Sequence, residues 1–440
     1  MGPTLRMRSL RTCARAFLIC SFASLCAFAL LASLGCSSND SGSVIKSYDD
    51  QKSVTLSFFS TNTNIGAPLQ HLTAPDGTEI RIVEDKAEYY AKEGQGEEYR
   101  DFLESRLLDN SVDIYTINAE DVIEFEEQGL WRDLSDLGAV SILSSDALAQ
   151  STYDGKAFSV PLTYTGFGFF WNKSMLDAHG LDVPSNLDEF LDVCAKLKAA
   201  GITPYIGNKG YALTVPAMAV GFADLYASQD SERLLDDLSS GATPVSTYME
   251  RGFAFVEQLV DEGYLDPDQA LATTPREGDL EAFMAGEGAF VCSSLTGSIF
   301  DQADFEVVAT AIPVLEHGSV AIVGANDRLA VNPHSPNSDY AAAAIDLLCT
   351  PENLTAIARK DGVIPPLADA DTGYLHEGAL PLARTAMSDH QIPNQDFRLH
   401  FNTWASIRDL SREVLQGTSA ADAAQRYDEM QLSEISLYGS

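Results

Sequence analysis

The sequence predicts a protein of the α/β class that is built from two lobes. Strand-like and helix-like segments alternate along the chain, which is typical of α/β layering. The chain has 440 residues, and about 390 of them would follow an export signal and the polar tether after it, more than one typical domain contains. The sequence shows no internal repeat and no low-complexity tract beyond a short polar tether, so a solenoid is not indicated.

The first third of the chain contains predicted strands at 54–59 and 113–117, which are rich in β-branched and aromatic residues. A polar segment at 84–106 is predicted to be helical at its end. Residues 120–128 are predicted to form a short helix that stops at Gly129.

The middle third has the clearest helix signal. Ser185 is predicted to cap a helix, with Asp188 three residues later as an acidic variant of the capping box. Apolar residues then recur at helical spacing and are predicted to face a core: Leu187, Phe190, Leu191, Cys194 and Leu197. Gly201 ends this helix, and 202–206 is predicted to be a strand.

Elements of both kinds continue to the C-terminal third. Residues 289–292 are predicted to form a buried strand, with the turn after it containing Ser293, Ser294 and Gly297. Helices are predicted at 248–262, 279–285, 339–348 and 352–360.

The N-terminus resembles a bacterial lipoprotein signal. Four arginines within the first 15 residues precede an apolar run at 16–34, and Gly35-Cys36 leads into a polar segment. Residues 1–35 are thus predicted to be a signal peptide, Cys36 to carry the lipid, and 36–51 to be a flexible tether. An uncleaved membrane anchor and an ordinary secretory signal remain alternatives. All three place the protein outside the cytoplasm, and the lipoprotein reading places it on the outer face of the cell membrane.

Charge and cysteine content exclude several classes of protein. The net charge of −36 becomes −40 when the four arginines of the signal are removed, and such a polyanion repels nucleic acid and anionic headgroups. Of seven cysteines, only Cys194, Cys292 and Cys349 lie beyond Cys36. Three scattered thiols form neither a disulfide framework nor a zinc site, although one disulfide remains open.

Motifs for catalysis or metal binding are not found in the sequence. It contains no Gly-x-Ser-x-Gly elbow, no phosphate-binding loop and no His-Glu-x-x-His helix. Asp369-x-Asp371-x-Gly373 begins like a calcium loop, but Leu380 stands where a bidentate carboxylate is needed, so a solvated turn is predicted. A pair of glycosidase carboxylates would not be visible in sequence.

Several segments, in order and spacing, resemble the family 1 bacterial extracellular solute-binding proteins, the sugar-binding receptors of ABC importers. The resemblance covers most of the chain after the signal. The matching segments and residues are 161–166, 171–173, Leu176, 180–181, Pro184, 189–190, 201–204, 283–290, 323–331, 341–348, 351–353 and 362–365, with Trp404 and 420–424 in the tail.

The resemblance implies a periplasmic-binding-protein-like clamp of type II, with a ligand cleft between its lobes. Lobe 1 is expected at 50–162 and 319–358, and lobe 2 at 163–318 and 359–440. The expected ligand is a small solute, a mono- or oligosaccharide, and the expected partners are ABC permease subunits and the membrane, through the lipid on Cys36. No cofactor is expected. A receptor for a peptide or polyamine, a secreted carbohydrate-active enzyme and a surface adhesion protein are the alternatives.

A sugar site requires hydrogen-bonding side chains beside aromatic rings. The family resemblance and the predicted loops give nine candidate ligand residues: Asn62, Asn64, Asp113, Tyr115, Tyr164, Asn208, Ser294, Asn326 and Trp404. The asparagines that follow strands are equally suited to shaping turns. Asp113 could instead pair with an arginine, and Tyr115 could belong to the core. Phe169, Phe170 and Trp171 are predicted to be core residues.

One departure from the family bears on the ligand. Many members carry Gly-x-Trp after the strand that corresponds to 289–292, whereas this chain has Ser293-Ser294-Leu295-Thr296-Gly297. The resemblance therefore leaves open a smaller or more polar site, or another solute.

Overall fold

The computed structural model describes residues 52–60, 72–86, 97–126 and 128–438. The strands are β1 (Ser53–Ser60), β2 (Leu72–Thr73), β3 (Glu79–Lys86), β4 (Ile114–Ile117), β5 (Thr152–Tyr153), β6 (Lys156–Ala157), β7 (Val160–Asn172), β8 (Thr203–Ile206), β9 (Gly288–Ser294), β10 (Val307–Thr310), β11 (Ile312–Leu315), β12 (Gly318–Val331) and β13 (Gln391–Pro393).

The helices alternate with these strands. They are α1 (Glu97–Leu108), α2 (Ala119–Glu126), α3 (Gly138–Ser141), α4 (Ser145–Ala149), α5 (Lys173–Ala178), α6 (Leu187–Ala199), α7 (Tyr211–Ala227), α8 (Ser231–Ser239), α9 (Ser246–Asp261), α10 (Pro267–Ala272), α11 (Gly278–Met284), α12 (Gly297–Gln302), α13 (Ser338–Leu348), α14 (Pro351–Asp361), α15 (Leu380–Ala386), α16 (Trp404–Leu415) and α17 (Ala420–Tyr438).

Most strands belong to one mixed sheet with the order β2-β3-β1-β4-β12-β7-β9-β8. β1 runs parallel to β3 and β4, and β8 runs parallel to β9. β12 is antiparallel to both β4 and β7, while β10 and β13 add to β7 and β12. The α/β class predicted from the alternation of elements is confirmed.

Two long strands run through both halves of this sheet. Residues 328–331 of β12 pair with β4 in the first half, whereas Ile322 of β12 pairs with Phe167 of β7 in the second half. Every residue of β7 is buried, because helices cover both faces of the sheet at this strand. We call β7 and β12 the hinge strands.

Helices cover both faces of each half. In the second half, one core cluster includes residues of α6, α7, α9, α16 and α17, and the other includes residues of α11, α12 and α15. In the first half, one cluster includes residues of α3, α13 and α14, and the other residues of α1 and α2. Because side chains alternate along a strand, Phe169 and Trp171 of β7 face the first of these four clusters and Phe170 faces the second.

The predicted elements agree with the structure to within a few residues, with one correction at α6. The side chain of Asn186, and not that of Ser185, accepts a hydrogen bond from the Glu189 amide and caps the helix. Glu189 in turn accepts hydrogen bonds from the amide and hydroxyl of Ser185. The capping interaction is therefore present one residue later than predicted. Phe169, Phe170 and Trp171 are confirmed as core residues.

The disulfide question is answered by the three cysteines in the described part of the chain. Cys194, Cys292 and Cys349 are free and buried. Burial raises the pKa of the Cys349 thiol to about 12, so this thiol stays protonated and packs as a small apolar group. Among the described residues, no helix combines the length and the apolar character needed to cross a membrane.

Candidate functional site

Strand ends from both halves of the sheet meet along the hinge strands. In the second half, β8 ends at Ile206, opposite Val291 of the parallel strand β9, which continues to Ser294, and β13 ends at Pro393 beside Val323 of β12. In the first half, β4 ends at Ile117 opposite Arg328. Loops at such strand ends are where open α/β sheets bind ligands. We call this region the interlobe edge, formed by residues 117–121, 163–167, 207–211, 294–297, 324–328 and 394–404.

Three aromatic side chains form a row at the interlobe edge. The ring of Phe167 lies 5.1 Å from that of Trp404 and 6.2 Å from that of Tyr211, measured between centroids. Tyr211 and Trp404 are the first residues of α7 and α16, two helices that pack together. Phe167 and Tyr211 are buried, whereas Trp404 is half-buried. The aromatic row thus presents one partly exposed indole against which an apolar ring face can stack.

Polar side chains lie beside the row on the hinge strands and on β9. Ser294 and Asn326 are both half-buried, and Ser294 is in register with Phe167. The Thr163 hydroxyl donates a hydrogen bond to Asp327 Oδ2 at 3.1 Å. Asp327 has a φ of 52°, a conformation that few non-glycine residues adopt. Together these residues offer hydroxyl, amide and carboxylate groups, which can donate and accept hydrogen bonds.

A buried guanidinium lies next to these groups. Arg328 donates from Nε to the Gln150 carbonyl at 3.4 Å, and its Cζ lies 6.0 Å from the centroid of the Phe397 ring. Its Nη2 is buried and has no hydrogen-bond partner among the residues that the structure describes. Burial lowers the pKa of Arg328 to about 10, although nearby carboxylates oppose the shift. Arg328 therefore remains charged at neutral pH and links hinge strand β12 to the segment that contains Phe397.

Asn208 lies beneath the aromatic row and is fully buried. Its Nδ2 donates to Asp279 Oδ2 at 2.6 Å, and its Oδ1 accepts from the amides of Gly210 at 2.8 Å and Ala212 at 3.3 Å. The structure thus uses this side chain to shape the loop between β8 and α7, one of the two roles considered for it from sequence.

Asp113 and Tyr115 lie away from the interlobe edge. Asp113 precedes β4, at the end opposite Ile117, and its carboxylate accepts hydrogen bonds from Ser57, Ser335 and Asn337. Tyr115 is fully buried in the first-half cluster, and burial raises the pKa of its hydroxyl. Neither side chain is placed next to the aromatic row.

Tyr164 lies on a hinge strand but faces the core. Its ring belongs to the cluster of α11, α12 and α15, and its hydroxyl donates to Gln391 Oε1 at 2.6 Å. Burial raises the pKa of this hydroxyl. A stacking role for Tyr164 would require it to leave this environment.

The nine predicted residues therefore fall into three groups. Ser294, Asn326 and Trp404 belong to the interlobe edge, where Ser294 is in register with Phe167, Trp404 packs against the Phe167 ring and Asn326 pairs with Thr163, and Asn208 is buried in the same region. Asp113 and Tyr115 are buried elsewhere, and the side chain of Tyr164, although its backbone lies at this edge, is buried on the opposite face of β7 from Phe167. Asn62 and Asn64 lie outside the described residues, as does Cys36.

Several residues of the site were not predicted from sequence. They include Phe167, Tyr211 and Asp279, as well as Thr163, Asp327 and Arg328. Phe167 lies in an aromatic run whose alternation indicates only a shared face with Phe169 and Trp171. Tyr211 follows Asn208 by three residues, but nothing local places its ring near β7. Asp279 lies 71 residues from its partner Asn208, and such distant pairs leave no periodic signal.

Metal-ligating clusters and two surface depressions were considered as further sites in the described part of the chain. No group of three or more metal-ligating side chains is present in the described ranges. In the predicted turn at 369–373, Asp371 accepts a hydrogen bond from the Gly373 amide. Two surface depressions, of about 440 and 390 Å³, are lined by residues 351–359 of α14 and 246–254 of α9. Neither contains an aromatic side chain.

The fold and the interlobe edge define a class of two-lobed binding protein. A chitin oligosaccharide-binding protein superposes with a TM-score of 0.67 at 18% identity, over 87% of this chain and 99% of that chain. A sugar transporter protein from Bacillus licheniformis in complex with stachyose gives a TM-score of 0.63 at 17% identity, over 86% of this chain and 98% of that chain. The clamp fold expected from the resemblance is thereby confirmed.

Sequence comparison gives the family. The sequence profile of the bacterial extracellular solute-binding proteins matches residues 95–378. A binding protein of Brucella abortus is 23% identical over 317 residues, which are 70% of this chain and 74% of that protein. The chain belongs to the bacterial extracellular solute-binding protein family.

Proposed function

We propose that this protein captures an oligosaccharide outside the cytoplasm and delivers it to an ABC permease. The observation that supports this proposal most directly is the half-buried indole of Trp404, whose ring packs against Phe167, the residue in register with Ser294 of β9. Sugars present apolar C–H faces to aromatic rings and hydroxyls to polar side chains. The two structurally similar proteins described above, one a chitin oligosaccharide-binding protein and one in complex with stachyose, support the same ligand class.

The missing tryptophan after β9 does not remove the aromatic surface. Phe167, Tyr211 and Trp404 supply rings from β7, α7 and α16, on the same side of the sheet. At the end of β9 the chain instead provides the hydroxyl of Ser294. This arrangement favours a ligand with one stacked ring and several hydrogen-bonding groups over a wholly apolar ligand.

Capture would proceed by closure of the two lobes around the hinge strands. We place the lobes at about 50–162 with 328–358, and 163–325 with 359–440, so that β12 changes lobe at Asn326–Asp327. This position in β12 is later than the boundary at 319 predicted from sequence. It is supported by the cores, since β12 residues up to Ala325 pack in the second-half clusters and those from Leu329 in the first-half clusters. A ligand that contacts both lobes shifts the population towards the closed form.

The protein would bind its ligand without converting it. Its family consists of binding proteins, and the interlobe edge offers stacking and hydrogen-bonding groups. A peptide or polyamine receptor and a secreted glycan-degrading enzyme are alternatives that the experiment below separates.

The test is a thermal-shift screen of the purified protein against stachyose, chitin oligosaccharides, short peptides and polyamines, with chromatography of each sugar afterwards. We expect saturable stabilisation by at least one oligosaccharide, recovered intact, since a ligand that binds only the folded state raises Tm. Small-angle scattering should show a smaller radius of gyration with that sugar. Conversion of the sugar, or stabilisation only by peptides or polyamines, would overturn the proposal.

Attachment to the membrane through Cys36 is a separate part of the proposal. It is supported by the basic, apolar and Gly-Cys sequence that precedes the tether. Mass spectrometry of the protein isolated from membranes should find the N-terminus at Cys36 with acyl chains attached. A Cys36→Ser variant should leave the membrane fraction, and an unmodified N-terminus before or after Cys36 would contradict lipidation.

A further inference from the structure

A buried carboxylate lies below the aromatic row, although binding as described above does not use it. Asp279, at the start of α11, is 0% exposed. Its Oδ2 accepts from Asn208 Nδ2 at 2.6 Å and from the Tyr211 hydroxyl at 3.3 Å, and its Oδ1 accepts from the Leu280 amide at 2.9 Å. Burying a charged carboxylate costs free energy that its hydrogen bonds must offset. We therefore asked which structural or functional role would explain a buried carboxylate at this position.

The carboxylate fixes the orientation of the Asn208 amide. An ionised carboxylate only accepts hydrogen bonds, so Asn208 must direct its NH₂ group towards Asp279. The Asn208 carbonyl oxygen then faces the opposite way, towards the amides of Gly210 and Ala212. Gly210 is the residue just before α7 and Ala212 lies in its first turn, where the backbone N–H groups have no partner within the helix. Asp279 therefore acts through Asn208 on the start of α7.

The start of α7 is also one end of the aromatic row. Tyr211 is the first residue of α7, and its hydroxyl bonds to the same Asp279 oxygen that holds Asn208. Its ring lies beside Phe167, which lies beside Trp404. One buried oxygen atom thus restrains both the backbone and the ring at this end of the row.

We propose that Asp279 and Asn208 are positioning residues of the ligand site, which hold Tyr211, and through it the aromatic row, in the geometry that stacks on the ligand. Neither residue touches the ligand, because both are fully buried. The inference deepens the oligosaccharide-binding function proposed above and rests on it.

The row can be observed without any ligand. The chain has three tryptophans: Trp131 and Trp171 are buried, whereas Trp404 is half-buried. Acrylamide quenching of the full chain therefore reports mainly on Trp404. The variants are Asp279→Asn, which lets the Asn208 amide turn over, and Asn208→Ala. The matched control is Asn332→Ala, because Asn332 is equally buried and bonds to the backbone of Leu107 and His334, at the far end of β4.

We expect Asp279→Asn and Asn208→Ala to change the quenching of Trp404 and to raise the Kd for stachyose by about tenfold. Asn332→Ala should lower Tm and leave both quantities unchanged. Wild-type quenching and Kd in both site variants would overturn the inference, as would equal changes in Asn332→Ala. If wild-type protein binds no sugar but the two site variants still alter Trp404 quenching, the positioning role stands and the oligosaccharide function fails.

Discussion

Trp404 combines a fixed ring with an exposed surface. Its backbone begins α16 and its ring packs against Phe167, yet it is only half-buried. A large, rigid side chain held in this way loses little conformational entropy when a ligand stacks on it. Binding energy at the residue scale should therefore be concentrated at this position.

Replacement of Trp404 tests that expectation. We expect Trp404→Ala to raise the Kd for stachyose by about tenfold or more, since loss of stacking and buried area removes at least about 1.4 kcal/mol. Trp404→Tyr should retain most of the affinity. Isothermal titration calorimetry measures both, and an unchanged Kd in Trp404→Ala would contradict the placement of the ligand at the aromatic row.

The buried carboxylate of Asp279 leads to a prediction of how thermal stability depends on pH. Burial raises its pKa above the ordinary value of 3.8, so the folded protein holds this proton more tightly than the unfolded chain. The free energy of unfolding that this proton contributes is fully present when the pH is below 3.8, the ordinary pKa of the carboxyl group. It is lost as the pH rises through the pKa that Asp279 has in the folded protein. Asp279→Asn does not titrate. We therefore expect Tm of the wild type, relative to this variant, to increase as pH falls from about 7 to about 4.5.

The other carboxylates titrate in the wild type and in Asp279→Asn alike. The difference in Tm between these two proteins therefore reports on Asp279. Differential scanning calorimetry across this range makes the measurement. A difference that stays constant, or that shifts in favour of Asp279→Asn at low pH, would show that the carboxylate is not destabilised by burial.

Residue types and family resemblance indicated part of the site. Trp404, Asn326 and Ser294 lie at the interlobe edge, and their contact with a ligand stays a prediction. Tyr164 shows where prediction of site residues from the sequence stops. Neighbouring residues of a strand point to opposite faces, and the sequence did not reveal which face of β7 borders the aromatic row. Asp279 could not be predicted for a different reason. Its proposed positioning role depends on contacts with Asn208 and Tyr211 that only the tertiary fold creates.

At the scale of elements, patterns with a clear period or a clear stop were predicted well. α6 has apolar residues at helical spacing, and α14 begins with proline and ends at Gly362, which adopts a φ of 67°. β7 and β12 were not predicted as continuous strands, because residues buried on both faces lack the alternation that marks a half-exposed strand. The hinge strands β7 and β12 therefore have the weakest secondary-structure signal in the sequence.

Gly168 shows how tightly β7 is packed. A Cβ at this position would overlap the backbone carbonyl oxygen of Thr310 and would lie 2.8 Å from Leu382 Cδ1. We expect Gly168→Ala to destabilise the fold by about 1–3 kcal/mol, as overpacking does elsewhere. The control is Gly373→Ala, whose Cβ would meet only the side chain of Asp371 at 3.2 Å.

Thermal unfolding monitored by circular dichroism compares the two glycine variants. Tm should fall clearly for Gly168→Ala and little for Gly373→Ala. Equal Tm values would mean that β10 can move away from β7 at little cost.

At the scale of the whole molecule, the net charge of −36 provides a way to distinguish an oligosaccharide ligand from a polyamine ligand. A polyanion attracts a polyamine over long range, and salt screens that attraction. A neutral oligosaccharide is held by stacking and hydrogen bonds within contact distance, which salt scarcely affects. The salt dependence of binding therefore reports on the class of ligand.

We expect the Kd for stachyose to change by less than about twofold between about 50 mM and about 500 mM NaCl, since the Debye length falls over this range while the contacts at the aromatic row stay unchanged. Spermidine is the matched cationic probe, and any binding to the acidic surface should weaken steeply over the same range. Titration of both compounds at both salt concentrations makes the measurement. A steep loss of stachyose affinity with salt would contradict a site built from stacking and short hydrogen bonds, whereas saturable, salt-resistant binding of spermidine would identify the interlobe edge as a cation receptor.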